Sequence, residues 1–275
     1  MKIGIVGHGV VGKHMQKDIE ASGQEVAIFD PAYYHPGGDR AAMDEVNACS
    51  AAFVCVPTPM DVDGSVSMGA IYSTFEWLDV DIAIIRSTVP PGTVFELATR
   101  LEEGRGTSVV FSPEFIGEGV NPPYLQVSQP PFMIIGGNDP ARMRAAEVYQ
   151  TIYNSECELI FMEGLEAEVT KYAENYFLAT KVTWVNEMYD ICGELGADHH
   201  IVLNALGHDP RIGRSHMHVY ENDRGWGGKC LPKDTMGLLR AVGGKLFNVK
   251  EPGVAPLLAA VILINALHRQ SSVKD

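Results

Sequence analysis

The chain has 275 residues, 46% of them hydrophobic, and a formal net charge of −14, which is enough apolar material for one large domain or two modest ones. An acidic balance of that size disfavours nucleic acid and anionic membrane surfaces as partners, so any anionic ligand has to be met by local groups. Five cysteines without regular spacing point to a reducing compartment, and a start that runs from Lys2 straight into an apolar run and a glycine loop carries no secretory signal, which makes the cytoplasm the default.

Residues 2–6 (Lys-Ile-Gly-Ile-Val) lead into Gly7-His-Gly-Val-Val-Gly12 and then a helical stretch over 13–22. Strand, glycine turn and helix in that order make a dinucleotide cradle. Gly9 gives a pyrophosphate access to the helix N-terminus, with Gly7, Val10, Val11 and Gly12 around it. The next apolar run, 25–29, ends in Asp30 roughly 20 residues past the glycine turn. A carboxylate there accepts the adenosine ribose hydroxyls and repels a 2′-phosphate, so the expected cofactor is NAD rather than NADP.

Strand-like runs follow at 51–56, 82–86, 108–111, 132–136 and 158–161, with helical or loop segments between them. This alternation predicts an α/β, Rossmann-like, doubly wound parallel sheet over residues 1–164. Ligands in such sheets bind outside the carboxyl ends of the strands, which makes three loops site candidates. They are Val56-Pro57-Thr58-Pro59, Ser87-Thr88-Val-Pro-Pro-Gly92 and Ser112-Pro-Glu114-Phe115-Ile-Gly-Glu118-Gly119. Pro57 and Pro59 are better explained as strand stops. Glu114 and Glu118, four apart, share a face if their loop opens a helix. Two close carboxylates split their pKa values and leave one as a general base, while the plainer reading is an acidic first helical turn.

From 165 to 195 the sequence keeps helical periodicity without proline, and Gly193 with Gly196 is expected to end the helix. It opens a smaller, all-helical domain over 165–275. Lys171 and Asn175, one turn apart, share a face. Facing a cleft they would donate to a developing oxyanion, facing water they are ordinary solvated residues, and sequence does not choose. Tyr172, Tyr176 and Ala179 read as packing. His199-His200 and His216-Met-His218 invite a metal, but neither pair has helical i, i+4 spacing and no cysteine pair completes a zinc site, so no metal is expected.

Cys230 stands in Trp226-Gly227-Gly228-Lys229-Cys230-Leu-Pro-Lys233-Asp234, where lysines on both sides favour a thiolate and the glycines let a substrate approach. Cys49, Cys55, Cys157 and Cys192 lie in apolar or helical stretches, where a thiol is ordinarily a small buried hydrophobe. The apolar run 254–267 is broken by Pro256 and falls short of the ~20 residues a bilayer span needs, so a buried helix that pairs two copies of the chain is expected.

GHGVVG with Asp30, CVPTP at 55–59, STVPPGT at 87–93, SPEFIGEG at 112–119, EAEVTKYAENYFLATKVTWVNE at 166–187, DPRIG at 209–213 and WGGKCLPKD at 226–234 together resemble the UDP-glucose/GDP-mannose dehydrogenase family over nearly the whole chain. The resemblance implies oxidation of a nucleotide sugar's primary alcohol to the carboxylate in two NAD-dependent steps, through a cysteine thioester. It implies Cys230 as the nucleophile, Lys171 and Asn175 as oxyanion donors, and Thr88 and Asp234 as groups that position or activate water. Glu114 and Glu118 would lie beside the thioester, Glu118 being the closer aid to hydrolysis.

Cofactor contacts are expected at Gly7, Gly9, Val10, Val11, Gly12, Asp30, Val56, Pro57, Thr58, Ser87 and Thr88. Substrate contacts are expected at Phe115, Lys171, Arg211, Gly227, Gly228 and Lys233, with Arg211 reaching the sugar or phosphate at a homodimer interface. Two smaller differences from the family are Trp226, where Phe is common, and Gln129-Pro-Pro-Phe132, where an arginine is expected before the strand. Members of the family usually continue into a third, Rossmann-like domain for the nucleotide half of the substrate, and this sequence ends where that domain would begin. Because remote binding energy supports turnover, a separate partner chain, a smaller substrate, a truncation or a relic would each account for the difference. Two other readings stand beside the first: a single-hydride hydroxyacid or sugar dehydrogenase, in which Lys171 matters and Cys230 does not, and a non-catalytic NAD-binding module.

Overall fold

The computed structural model describes residues 1–102, 106–115, 130–153, 155–243 and 253–271. The chain divides into two compact units, Met1–Thr58 with Ser67–Lys171, and Pro59–Val66 with Tyr172–Asp275.

The first unit alternates strands and helices: β1 (Lys2–Val6), α1 (Val10–Ala21), β2 (Glu25–Phe29), α2 (Gly38–Asn47), β3 (Ala51–Val54), α3 (Gly69–Trp77), β4 (Ile82–Ile85), α4 (Thr93–Glu102), β5 (Ser108–Phe111), β6 (Phe132–Gly136), α5 (Asp139–Ile152) and β7 (Glu158–Met162). The strands form one sheet in the order β2-β1-β3-β4-β5-β6-β7. Neighbours from β2 to β5 are parallel, as are β6 and β7. The expected all-parallel sheet is therefore mixed at one junction, where β5 and β6 meet antiparallel through the single pair Phe111↔Gly136. Glycine allows this close approach: a Cβ on the following Gly137 would fall 2.9 Å from a Val110 methyl and 3.2 Å from the Val109 carbonyl oxygen.

The strands are short and apolar on both faces, as a sheet covered on both sides requires. Alternate residues serve opposite layers. Ile3, Ile5, Phe53 and Ile84 pack with Met15 and Ile19 of α1 and with Ala145 and Tyr149 of α5. Val6, Val54 and Ile85 pack with Val46 of α2, Ile71 and Phe75 of α3, and Leu97 of α4. Each fully buried aliphatic side chain of this kind contributes about 1.5–3 kcal/mol. Strand order reverses between β1 and β3, and this places the loops after those two strands at the crevice where such sheets receive ligands.

The second unit takes the greater part of α6 (Gly164–Leu195) together with α7 (His199–Gly207), α8 (Cys230–Ala241) and α9 (Pro256–Ser271). Gly193 is helical and does not stop α6; Gly196 does, at φ +70°, with the Ala197 N–H returning to the Cys192 carbonyl at 2.8 Å. Among the described residues no helix is long and apolar enough to cross a membrane. Most of the 254–267 run is α9, which buries Leu258, Ala259 and Val261 but leaves Leu257, Leu263 and Leu267 exposed.

Candidate functional site

In the first unit the glycine turn has the shape its sequence suggests. Gly7 has φ +92°, and a Cβ there would lie 2.5 Å from the Cys55 carbonyl oxygen of the neighbouring strand. A Cβ on Gly12 would meet the Gly7 oxygen at 2.0 Å, whereas one on Gly9 would meet nothing within 4 Å. Gly7 and Gly12 close the turn, and Gly9 leaves its outer side open. No side chain caps α1 at Gly9, so the first-turn N–H groups of Val10 and Val11 are aimed at whatever fills that space. Asp30, half-buried at the end of β2, accepts the His8 N–H at 2.6 Å and the Ala32 N–H at 2.8 Å. Its carboxylate thus faces the same turn. These groups fit a dinucleotide, the pyrophosphate at Gly9 and a ribose at Asp30.

The loops after β3 and β4 are tied together by two hydroxyls. Thr58 donates to the Thr88 carbonyl at 2.9 Å, and Ser87 donates to the Val56 carbonyl at 2.6 Å. The expected cofactor residues Val56, Pro57, Thr58, Ser87 and Thr88 therefore form one continuous edge of the crevice.

Two charged residues of this unit carry structure that sequence reading missed. Arg86 is 3% exposed; it donates to the Ser112 carbonyl at 2.9 Å and the Tyr149 hydroxyl at 3.2 Å, and pairs with Glu114. Glu114 is thereby committed to an ion pair, and its other oxygen accepts the Phe115 N–H at 3.0 Å. Glu168, 0% exposed, accepts the Gly92 N–H at 2.5 Å and the Val94 N–H at 2.7 Å. Burial pushes its carboxyl up to about 7 against the opposing pull of those backbone donors. The available signals were a charge closing an apolar strand and an acid in an otherwise well-packed helical turn. Lys171, one turn after Glu168, is buried with its ammonium 4.9 Å from the centre of the Phe115 ring, a cation–π distance. Glu118 lies outside the described residues.

In the second unit Cys230 is the first residue of α8 and half-buried. The partial positive charge of a helix's first turn favours negative charge at the sulfur. One turn on, Asp234 is 1% exposed. The Asn175 side-chain amide donates to one of its oxygens, and the Lys233 ammonium stands 2.5 Å from the other. Asn175 is itself buried, so this triad is largely withdrawn from water.

The run before Cys230 is fixed from two sides. Arg224 donates to the Asn186 side chain at 2.8 Å and to Asp190 at 2.8 Å. Asn265 accepts the Trp226 N–H at 2.7 Å and donates to the Trp226 carbonyl at 3.0 Å. Gly228 then turns at φ +76°, and Gly227 leaves room for the Arg269 guanidinium, 3.4 Å from where a Cβ would stand. Arg211 is exposed and held by Asp209, two residues back, at 2.6 Å. Thr88, Glu114, Phe115 and Lys171 thus belong to the first unit, and Asn175, Arg211, Gly227, Gly228, Cys230, Lys233 and Asp234 to the second.

Comparison with known proteins adds to this geometry. Residues 39–155 match the NAD binding domain of the UDP-glucose/GDP-mannose dehydrogenase family, and residues 165–266 match its central domain. The chain is 31% identical to a UDP-glucose 6-dehydrogenase of Rhizobium meliloti across 78% of its length. It is 31% identical to one of Haloferax volcanii across 94%. It spans only 53% and 64% of those two relatives. Among solved structures, a UDP-glucose dehydrogenase of Pyrobaculum islandicum superposes with a TM-score of 0.77 at 27% identity, covering 97% of this chain and 68% of that one.

Proposed function

We propose, from the premise that this chain belongs to the UDP-glucose/GDP-mannose dehydrogenase family, that it oxidises the primary alcohol of a nucleotide sugar to the carboxylate in two NAD-dependent steps. The observation that carries this reading is the thiol of Cys230 at the start of α8, one turn from a buried Asp234 held by Asn175 and Lys233. The substrate class follows the names of the relatives, which are UDP-glucose 6-dehydrogenases.

Bound NAD supplies the hydride acceptor for each oxidation. The alcohol first loses a hydride and a proton to become an aldehyde. The Cys230 sulfur adds to the aldehyde carbon, and loss of a second hydride leaves a thioester. Water then breaks the carbon–sulfur bond, giving the carboxylate and returning the thiol. In this scheme Lys171 and Asn175 donate to the oxyanion. Asp234 takes the proton of the attacking water, and Thr88 orients that water. No disulfide joins the five cysteines, which supports a reducing compartment such as the cytoplasm. The exposed leucines of α9 support pairing of two copies of the chain.

The test is to incubate the protein with NAD and a panel of nucleotide sugars and to count NADH formed per substrate consumed. Two per substrate, lost in Cys230→Ala, is the expected result. One per substrate with Cys230→Ala unchanged would indicate single-hydride chemistry. None, with NAD still bound, would indicate a binding module or a need for a separate chain.

A further inference from the structure

The first turn of α7 sets two imidazoles side by side. His199 and His200 are its first residues, placed there by Asp198, whose carboxylate accepts the His200 and Ile201 N–H groups at 2.8 and 3.4 Å. Their ring centres are 3.9 Å apart, and His199 is held edge-on by Tyr189 at 4.5 Å. Its Nε2 is buried with no hydrogen-bond partner among the described residues, a condition that costs free energy unless something fills the position. The loop before Trp226 brings Glu221 to the same place. One ligand atom from each of His199, His200 and Glu221 lies within 4.8 Å of the other two. A surface cavity of about 370 Å³ lined by both histidines, and by His218, adjoins them.

We propose that His199, His200 and Glu221 bind a single divalent ion of the zinc type. Two imidazoles and a carboxylate suit zinc, cobalt or nickel rather than calcium or magnesium, which prefer all-oxygen shells. Around a tetrahedral ion with bonds of ~2.0–2.2 Å the ligand atoms stand roughly 3.4 Å apart. Reaching that spacing requires rotation of His200 and Glu221, both exposed. The positive end of the α7 dipole opposes a cation, and the carboxylates of Asp198 and Glu221 offset it. The two histidines are adjacent and the third ligand comes from a loop, so no helical i, i+4 spacing marks the cluster in the sequence. The ion would tie the start of α7 to the segment that runs through Arg224 and Trp226 to Cys230. Its role is to order that segment, since none of the three ligands carries a step of the proposed oxidation.

Metal-stripped full-length protein is titrated with Co²⁺ and followed by its visible spectrum, then melted with and without Zn²⁺. The expected result is one equivalent of Co²⁺ bound with d–d bands and no sulfur-to-cobalt charge transfer, and a melting temperature raised by Zn²⁺. His200→Ala and Glu221→Gln, both with wild-type melting in the absence of metal, each weaken binding more than about tenfold; Cys230→Ser does not. No binding at one equivalent, binding unchanged in both ligand variants, or a charge-transfer band that disappears in Cys230→Ser would overturn the proposal. These readouts do not depend on turnover, so they stand or fall separately from the oxidation.

Discussion

Glu168 in the first unit and Asp234 in the second are both carboxylates with almost no solvent contact, 0% and 1% exposed, yet they are satisfied in opposite ways. Glu168 is held by the backbone N–H groups of Gly92 and Val94 at the start of α4. Asp234 is held by the side chains of Asn175, 59 residues away in sequence, and Lys233. Backbone donors come with the fold and fix a loop. Side-chain donors have to be immobilised at an entropic cost, and a buried set of them has to be argued for by something other than stability. The contrast separates an anchor made by backbone, which holds the Thr88 loop against α6, from a buried carboxylate held by side chains, the one to which the proposed oxidation gives a role.

The same contrast between units appears first, and with the largest expected effect, in their thiols. Cys55, buried at the end of β3, is pushed up to about 12 by burial, so its thiolate fraction at pH 8 is about 10⁻⁴. Cys230 sits half-buried at a helix start. Alkylation followed by mass spectrometry at pH 8 is expected to label Cys230 on the order of a thousandfold faster than Cys55, ahead also of Cys49 and Cys157, whose thiols burial raises. Substrate with NAD should slow the reaction at Cys230 alone. Equal rates at all sites would leave Cys230 as a packed thiol and remove the distinction.

Next in size is Asp234→Ala. Removing one partner of a buried pair leaves the Lys233 ammonium, whose side chain is 12% exposed, without its counter-charge, a loss of about 3–5 kcal/mol. Urea unfolding measures it. Asp234→Asn keeps the shape but neither the charge nor the second acceptor that Asn175 and Lys233 require, so it should recover only a small part of that stability, while turnover remains lost. Recovery of both would reduce Asp234 to an anchor like Glu168.

For Glu168 the expected loss in Glu168→Gln is smaller, about 1–3 kcal/mol for a disturbed buried acceptor, and it depends on pH with a definite sign. The folded-state pKa is raised from 4.5 to about 7 by burial. The folded protein therefore binds more protons than the unfolded chain between those values, so this group's contribution is fully present below pH 4.5 and is lost as pH rises through 7. Urea midpoints at pH 5 and pH 8 should show a fall in the wild type that Glu168→Gln lacks. A fall of equal size in the variant would assign the effect to other groups.

How much of this was legible beforehand follows the same division. The strands at 2–6, 25–29, 108–111 and 132–136 are where the apolar runs put them, because a doubly covered strand is written in consecutive residues. Small departures have local causes. Helix α1 starts at Val10 rather than 13, since the Lys13 N–H already reaches the Gly9 carbonyl at 3.0 Å, and β3 stops at Val54, before Ser87 takes the Val56 carbonyl. The glycine cradle and the Cys230 run were visible for the same reason: each is contiguous. Arg86, Glu168 and the meeting of Glu221 with His199 and His200 were not, because their partners are backbone groups or loops brought near by the fold, and no spacing rule reaches across it.

The smallest effect tests whether the two units also differ in how their helices begin. Asn138 caps α5 in the first unit, accepting the Ala141 N–H at 3.0 Å through a neutral amide. Asp198 caps α7 in the second with a carboxylate. Asn138→Ala removes only a hydrogen bond and should cost about 1 kcal/mol. Asp198→Asn keeps the cap and removes only the charge, so its expected cost is the interaction with the helix dipole, about 0.3–1 kcal/mol and screened by salt. Thermal melts of both variants at low and high ionic strength separate the two: the Asn138 effect should be indifferent to salt and the Asp198 effect should shrink. If both respond alike, the carboxylate at α7 is an ordinary cap, and its electrostatic support for a cation at His199 and His200 is correspondingly weaker.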